Sequence, residues 1–129
     1  MPRRRRGWAM NENQGFANQH SPLTISLLEP TLLLLINLQP AHGYTLLNEL
    51  EKREMGGIHP SVVYRTLRDL EVLEWIESSW DIDKTLGPPR RIYSITKLGK
   101  QALTNWKLQL EQHQNSINTL LDSIKPEDQ

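Results

Sequence analysis

The spacing of hydrophobic and polar positions changes several times along this chain, and each change marks a predicted element. Apolar residues run almost without interruption through residues 29–38, which predicts a helix that is covered on several sides and stopped by Pro40. Leucines three and four residues apart then predict a second helix over residues 44–53. We expect the pair Gly56-Gly57 to end this helix.

A third predicted helix carries a polar surface. His59 is suited to an N-cap and Pro60 to a first helical turn, so we expect this helix to run to about Leu73. Its inner stripe consists of Val63, Leu67 and Leu70. The other faces are polar or hydrogen-bonding apart from one valine and carry Ser61, Val62, Tyr64, Arg65, Arg68 and Asp69.

Two strand-like segments follow this helix. Residues 75–80 and 90–95 are rich in Ile, Trp, Tyr and Ser, and residues 81–89 contain the turn residues of a long hairpin loop. The hairpin offers three cations that suit a DNA groove or phosphates, Lys84, Arg90 and Arg91. A basic helix followed directly by a basic hairpin predicts a winged helix-turn-helix, mainly α with a small β-wing.

The last predicted helix covers residues 97–124 and carries a stripe with coiled-coil spacing. The stripe consists of Leu103, Trp106, Leu110, His113, Ile117, Leu120 and Ile124. A domain of this size offers little surface to cover such a stripe, so we expect a second copy of the chain to cover it. The alternative is a helix that packs back on its own domain. We expect the polar His113 to fix the register, with pH sensing as the alternative.

Composition narrows the function. A length of 129 residues allows one domain, and zero cysteines exclude disulfides, thiolate zinc sites and cysteine nucleophiles. The first residues are too polar for a secretion signal, and the longest apolar run, residues 32–36, is too short to span a bilayer. We therefore expect a cytoplasmic protein without a membrane partner.

The net charge is zero, but the charges are segregated along the chain. Residues 1–20 carry four arginines, Arg3 to Arg6, against one glutamate, and residues 80–100 carry five basic against two acidic residues. Residues 21–79 reverse this balance, with four basic against eight acidic residues. Local potential governs binding to phosphates, so the pattern favours DNA as a partner, although short windows also vary by chance. We expect residues 1–22 to be a flexible arm that enters a minor groove or is only a leader.

Catalytic and metal-binding motifs are weak. The segment from Ser94 to Lys97 matches a Ser-x-x-Lys pattern, but it lies at the end of a predicted strand and has no companion motif. The four histidines do not have the spacing of metal ligands. We expect no catalytic residue, no metal and no cofactor.

Three motifs together resemble the PadR family of transcriptional regulators. They are AHGY at residues 41–44, PSVVYRTLRDLE at residues 60–71, and GPPRRIYSITKLG at residues 87–99. The resemblance covers residues 27–121 and is closest to the compact subfamily with a single C-terminal helix. It implies a homodimeric repressor that binds a palindromic operator, and in many members a small aromatic or hydrophobic effector releases the DNA. Tyr44 then joins the predicted DNA contacts.

Three questions stay open at this point. The family usually has glycine where this chain has Glu74, so we expect the turn after the third helix to differ locally. The same winged surface in a protein-interaction module is the alternative to DNA binding, although retained basic residues favour DNA. Trp106 either stacks on an effector or fills the dimer core.

The expected organisation is an arm (1–22), a winged-helix domain (23–96) and a dimerisation helix (97–125).

Overall fold

The computed structural model describes residues 21–81 and 88–124, which form five helices and one three-stranded sheet. In chain order the elements are α1 (Pro22–Ser26), α2 (Leu28–Leu38), β1 (Ala41–His42), α3 (Gly43–Lys52), α4 (Pro60–Val72), β2 (Ile76–Asp81), β3 (Arg90–Ile95) and α5 (Lys97–Ser123). The predicted class, mainly α with a small wing, is confirmed.

Helix α2 lies in the middle of the core. Four of its side chains, Leu28, Leu32, Leu33 and Ile36, are at most 1% exposed. The helix ends because Gln39 takes an extended conformation, which the following proline favours. The buried side chains of α3, α4 and the sheet complete a single core around this helix.

Helix α3 ends earlier than the glycine pair predicted. The N–H of Met55 donates to the carbonyl of Leu50 at 2.9 Å, and the N–H of Glu54 donates to the carbonyl of Glu51 at 3.2 Å. These bonds form a Schellman motif, in which Glu54 takes the left-handed conformation with φ 64°. The prediction that Gly56-Gly57 ends the helix was therefore wrong. Instead, Gly56 allows close approach, since a β-carbon there would lie 2.5 Å from Cγ of Glu51.

Helix α4 begins as predicted. Nδ1 of His59 accepts a hydrogen bond from the N–H of Ser61 at 3.0 Å, and Pro60 occupies the first helical position. The helix ends in a second Schellman motif, in which the N–H of Trp75 donates to the carbonyl of Leu70 at 3.0 Å. Glu74 has φ 65° in this motif. The expectation of a locally different turn was wrong, because the glutamate adopts the left-handed backbone that glycine would take.

The sheet has the order β1-β3-β2, and both pairings are antiparallel. Strand β1 contains two residues, too few to produce a strand pattern, and the sequence did not predict it. Side chains alternate between the two faces of a strand, so Arg90 and Arg91 lie on opposite faces. Arg90 lies opposite Asp81 in the register, and Arg91 lies opposite Trp80.

Helix α5 is fixed to the domain at its first turn. Oγ1 of Thr96 accepts from the N–H of Gly99 at 3.0 Å, and its hydroxyl lies 2.7 Å from the carbonyl oxygen of Glu74 and 3.0 Å from that of Trp75. Gly99 lies so close to the carbonyl of Trp75 that a β-carbon would be 2.0 Å from its oxygen. Beyond Trp106 every described residue of the helix is exposed.

Candidate nucleic-acid interface

The outward face of α4 carries mostly polar side chains. Val63, Leu67 and Leu70 are buried, so the opposite side of the helix faces solvent. Exposed side chains on these faces are Ser61, Tyr64, Arg65, Arg68 and Asp69. The predicted contact Val62 differs from them, since it is half-buried and packs against the core.

Tyr64 connects α4 to the start of α3. A β-carbon at Gly43 would lie 2.5 Å from the hydroxyl oxygen of Tyr64 and 2.6 Å from its Cε1, so only glycine allows the ring to lie there. The ring keeps 40% of its surface exposed. Gly43 belongs to the AHGY motif and Tyr64 to the motif at residues 60–71, so these two motifs meet in one contact. This contact holds the N-terminus of α3 beside the outward face of α4.

A group of four side chains lies at the base of the wing. The hydroxyl oxygen of Tyr44 accepts a hydrogen bond from Nη1 of Arg90 at 2.8 Å, and the guanidinium carbon lies 5.1 Å from the centre of the tyrosine ring. The same ring stacks on His42, with 5.4 Å between centroids and 9° between planes. Nε2 of His42 lies 2.8 Å from Oδ2 of Asp81. We call these four residues the wing-base cluster.

Arg91 is held on the opposite face of the sheet. Its guanidinium carbon lies 4.7 Å from the ring centre of Trp80, and its Nη1 donates to Oγ of Ser78 at 2.6 Å. Ser78 in turn donates to the carboxylate of Glu71 near the end of α4 at 2.5 Å. An aromatic ring thus orients each wing arginine, and Arg91 is also tied to α4.

Tyr93 is a buried residue of β3. Its side chain is buried in the core, and this burial raises the pKa of its phenol above the usual value of 10.0. The negative charge of Glu71 raises the pKa further, whereas the positive charges of Arg91 and Arg68 oppose the rise. The pKa of this one phenol therefore responds to charges on both α4 and β3.

The C-terminal stripe divides into two parts. Leu103 and Trp106 pack against the core of their own chain, and Nε1 of Trp106 donates to Oε2 of Glu29 in α2 at 3.0 Å. The alternative of packing on the same domain therefore holds for the first part of α5. The five further stripe residues are exposed, namely Leu110, His113, Ile117, Leu120 and Ile124.

An apolar groove of about 580 Å³ lies between α2 and the first half of α5. Leu27, Pro30 and Leu34 line one side, and Leu103 and Leu110 line the other. It continues the exposed apolar surface of α5 onto the winged domain.

Several predicted residues cannot be placed. Lys84 and the four arginines Arg3, Arg4, Arg5 and Arg6 lie outside the described residues. Within residues 21–81 and 88–124, no group of three or more His, Asp or Glu side chains is arranged to hold a metal ion. No helix in this part of the chain is both long enough and apolar enough to cross a membrane.

Comparison with known families decides the kind of protein that carries this surface. A model described as the transcriptional regulator PadR-like family matches residues 32–105, which is more than half of the chain. The chain belongs to the PadR-like family. A search of curated proteins found no match.

Solved structures agree with this membership. A PadR-like regulator from Bacillus cereus is 26% identical, with a TM-score of 0.70, over 81% of this chain and 100% of that one. A PadR family regulator from Eggerthella lenta is 26% identical over 79% and 88% of the two chains, with a TM-score of 0.69. A protein described as a potential transcriptional factor is 36% identical over 81% and 92%, with a TM-score of 0.65.

This PadR-like protein is thus a DNA-binding transcriptional regulator, not an enzyme. Family membership disfavours the protein-interaction module considered from the sequence. Sequence reasoning did not include His42, Trp80 or Asp81 among the site residues. The AHGY motif did contain His42, but no local pattern shows that its partner lies 39 residues away.

Proposed function

We propose that this PadR-like regulator is a homodimeric repressor that acts in the cytoplasm on a palindromic DNA site. The observation that carries the proposal is the arrangement of basic and aromatic side chains around α4. Tyr64 connects the outward face of this helix to α3, while Ser78 and Arg91 connect its C-terminal end to the wing. Together they present one surface to DNA.

Helix α4 has the dimensions of a recognition helix. Its 13 residues give it a length of about 20 Å. The major groove of B-DNA is wide enough to admit an α-helix. Arg65 and Arg68 lie three residues apart and are both exposed, so they lie on neighbouring positions of one face. Arginine forms bidentate hydrogen bonds with guanine, which makes these two residues the proposed base readers. Tyr44, Arg90 and Arg91 are the proposed backbone contacts at the wing.

The recognition assignment can be tested with a duplex that the intact protein enriches from a random-sequence pool. Replacing Arg65 or Arg68 by alanine should weaken binding by about 1–3 kcal/mol if the lost contact is bidentate to guanine. Arg53→Ala is the matched control, because Arg53 is exposed at the far end of α3 and binds only Glu49 among the described residues. Unchanged affinity of both variants at fixed salt would show that α4 does not read the DNA.

Repression itself needs a separate measurement. In transcription with purified polymerase from a promoter that contains the enriched sequence, the intact protein should lower the amount of transcript. The double variant of Arg65 and Arg68 should not lower it. An increase in transcript with the intact protein would identify an activator instead.

Dimerisation is proposed to occur through α5. The helix has 27 residues, and its exposed second half presents Leu110, Ile117 and Leu120 on one face. The three residues are 36%, 43% and 60% exposed in the single chain, so a second copy would remove substantial apolar area from water.

A matched pair of variants tests this interface by sedimentation. Leu120→Glu should give monomers, because it places a charge within the proposed interface. Leu108→Glu should leave dimers intact, since Leu108 is 57% exposed but lies on the opposite side of the helix. Dimers of Leu120→Glu, or monomers of both variants, would contradict the α5 interface.

The apolar groove between α2 and α5 is the proposed binding site of a small aromatic or hydrophobic effector. Its volume of about 580 Å³ is within the usual range of ligand pockets, and its lining is mostly apolar. A planar aromatic dye without affinity for DNA is a suitable probe. The dye should release the intact protein from the enriched duplex and should not release a Leu34→Glu variant. Equal release of both proteins would place the effector site elsewhere.

The arginines of the N-terminal arm, Arg3 to Arg6, are proposed to contact the minor groove. Each neutralised phosphate steepens the dependence of log affinity on log salt by about 0.9. Deletion of residues 1–10 should therefore flatten this dependence by several units. Equal slopes for the intact and truncated proteins would leave the arm without a role in DNA binding.

A further inference from the structure

We propose that His42 is a positioning residue that keeps Arg90 available for a DNA phosphate. This inference rests on the proposed DNA interface and assigns a task to the wing-base cluster. His42 itself is largely buried, with 21% of its side chain exposed, and the proposal does not require it to touch DNA.

Asp81 is the acidic residue nearest to Arg90 in the sheet register. In the β2–β3 register Asp81 lies directly opposite Arg90, and both side chains point to the same face of the sheet. Opposite charges in such cross-strand positions attract each other. The carboxylate of Asp81 instead accepts a hydrogen bond from Nε2 of His42 at 2.8 Å. His42 therefore engages the carboxylate that is best placed to neutralise the arginine.

Tyr44 and His42 together orient Arg90. The nearly parallel stack of His42 on Tyr44 fixes the plane of the tyrosine ring. The hydroxyl oxygen of that ring accepts a hydrogen bond from Nη1 of Arg90, which leaves the remaining guanidinium donors to serve a phosphate. Loss of His42 would release both partners, so that Asp81 could pair with Arg90 and the tyrosine ring could turn.

The test measures affinity for the duplex enriched from a random-sequence pool, well below the thermal transition of each variant. His42→Ala should weaken binding about three- to tenfold, the range expected when one orienting hydrogen bond is lost. The same substitution should have less than about a twofold effect in a chain that already carries Arg90→Ala. Tyr44→Phe, which keeps the ring and removes the hydroxyl, should behave like His42→Ala in both chains.

A rescue variant separates positioning from general support of the fold. Adding Asp81→Asn to His42→Ala removes the carboxylate charge that competes for Arg90, so it should restore the part of the affinity that is lost to pairing of Asp81 with Arg90. If His42 only stabilises the domain, Asp81→Asn will not restore binding and His42→Ala will weaken it equally with and without Arg90. Either result would overturn the inference.

The arginine variants distinguish failure of the DNA interface from failure of the positioning role of His42. If Arg90→Ala, Arg65→Ala and Arg68→Ala all bind the duplex like the intact protein, the proposed interface is wrong. If these arginine variants bind weakly but His42→Ala binds normally, the interface stands and the positioning role of His42 does not.

Discussion

Replacing Gly99 by alanine should destabilise the protein, although helix propensity predicts the opposite. Gly99 lies in the first turn of α5, where alanine is favoured over glycine by at most about 1 kcal/mol. The added β-carbon would lie 2.0 Å from the carbonyl oxygen of Trp75 and 2.7 Å from Cγ1 of Ile95. Because one of these atoms belongs to the backbone, a change of side-chain rotamer cannot relieve the overlap.

The magnitude follows from what has to move. Overpacking of a well-packed site costs about 1–3 kcal/mol. The carbonyl of Trp75 also accepts hydrogen bonds from the N–H and the hydroxyl of Thr96, both at 3.0 Å, and a shift of α5 weakens each by about 1 kcal/mol. After subtraction of the helix-propensity gain, we expect a net loss of about 2–4 kcal/mol. For a domain of this size the loss lowers Tm by roughly 10–20 °C.

Urea and thermal denaturation followed by circular dichroism can measure this loss. Protein concentration must be the same for every variant, because association would make Tm depend on concentration. Gln101→Ala, an exposed substitution in the next turn of α5, is the control and should change stability by less than about 0.5 kcal/mol. A Gly99→Ala variant as stable as the parent, or more stable, would refute the steric reasoning.

Three further predictions concern single side chains. Glu74→Gly should raise the free energy of unfolding by about 0.5–1 kcal/mol in urea titrations, because glycine adopts φ 65° without the clash of a β-carbon; a lower midpoint would contradict this. The phenol of Tyr93 should titrate above its usual pKa, because burial and then the charge of Glu71 raise that pKa; the stability that it contributes is complete below about pH 10 and is lost as the pH rises through the folded-state pKa, and ultraviolet titration against Tyr93→Phe checks this. Trp106→Phe should cost about 1 kcal/mol, because Glu29 loses the indole N–H, whereas Glu29→Gln, which keeps an acceptor, should cost less in the same denaturation assay.

The long elements were predictable because their signals are local. His59 and Pro60 marked the start of α4, and the spacing of Val63, Leu67 and Leu70 identified its buried face. The composition of the two wing segments and the heptad spacing of the stripe in α5 predicted the remaining elements. Such patterns depend on neighbours within one or two turns, which the sequence displays directly.

The structure differs from the sequence-based prediction where contacts between distant residues or an unusual backbone conformation determine it. Both Glu54 and Glu74 occupy left-handed positions, since the bonds of their Schellman motifs offset the strain of a side chain there. The bond from His42 to Asp81 joins residues that are far apart in sequence, so no spacing rule announces it. Trp106 belongs to the predicted stripe but binds Glu29 in its own chain, which only the path of α5 reveals.

The backbone of Trp75 is a pivot between α4 and α5. The N–H of Trp75 donates a hydrogen bond to the carbonyl of Leu70 in the last turn of α4. The carbonyl of Trp75 accepts hydrogen bonds from Thr96, the N-cap of α5. With 27 residues α5 is a lever about 40 Å long, so a rotation of about 5° at the pivot moves its far end by roughly 3.5 Å. In the proposed dimer this leverage sets the distance between the two recognition helices. Substitutions near the pivot can therefore change the preferred half-site spacing without altering any side chain that reads a base.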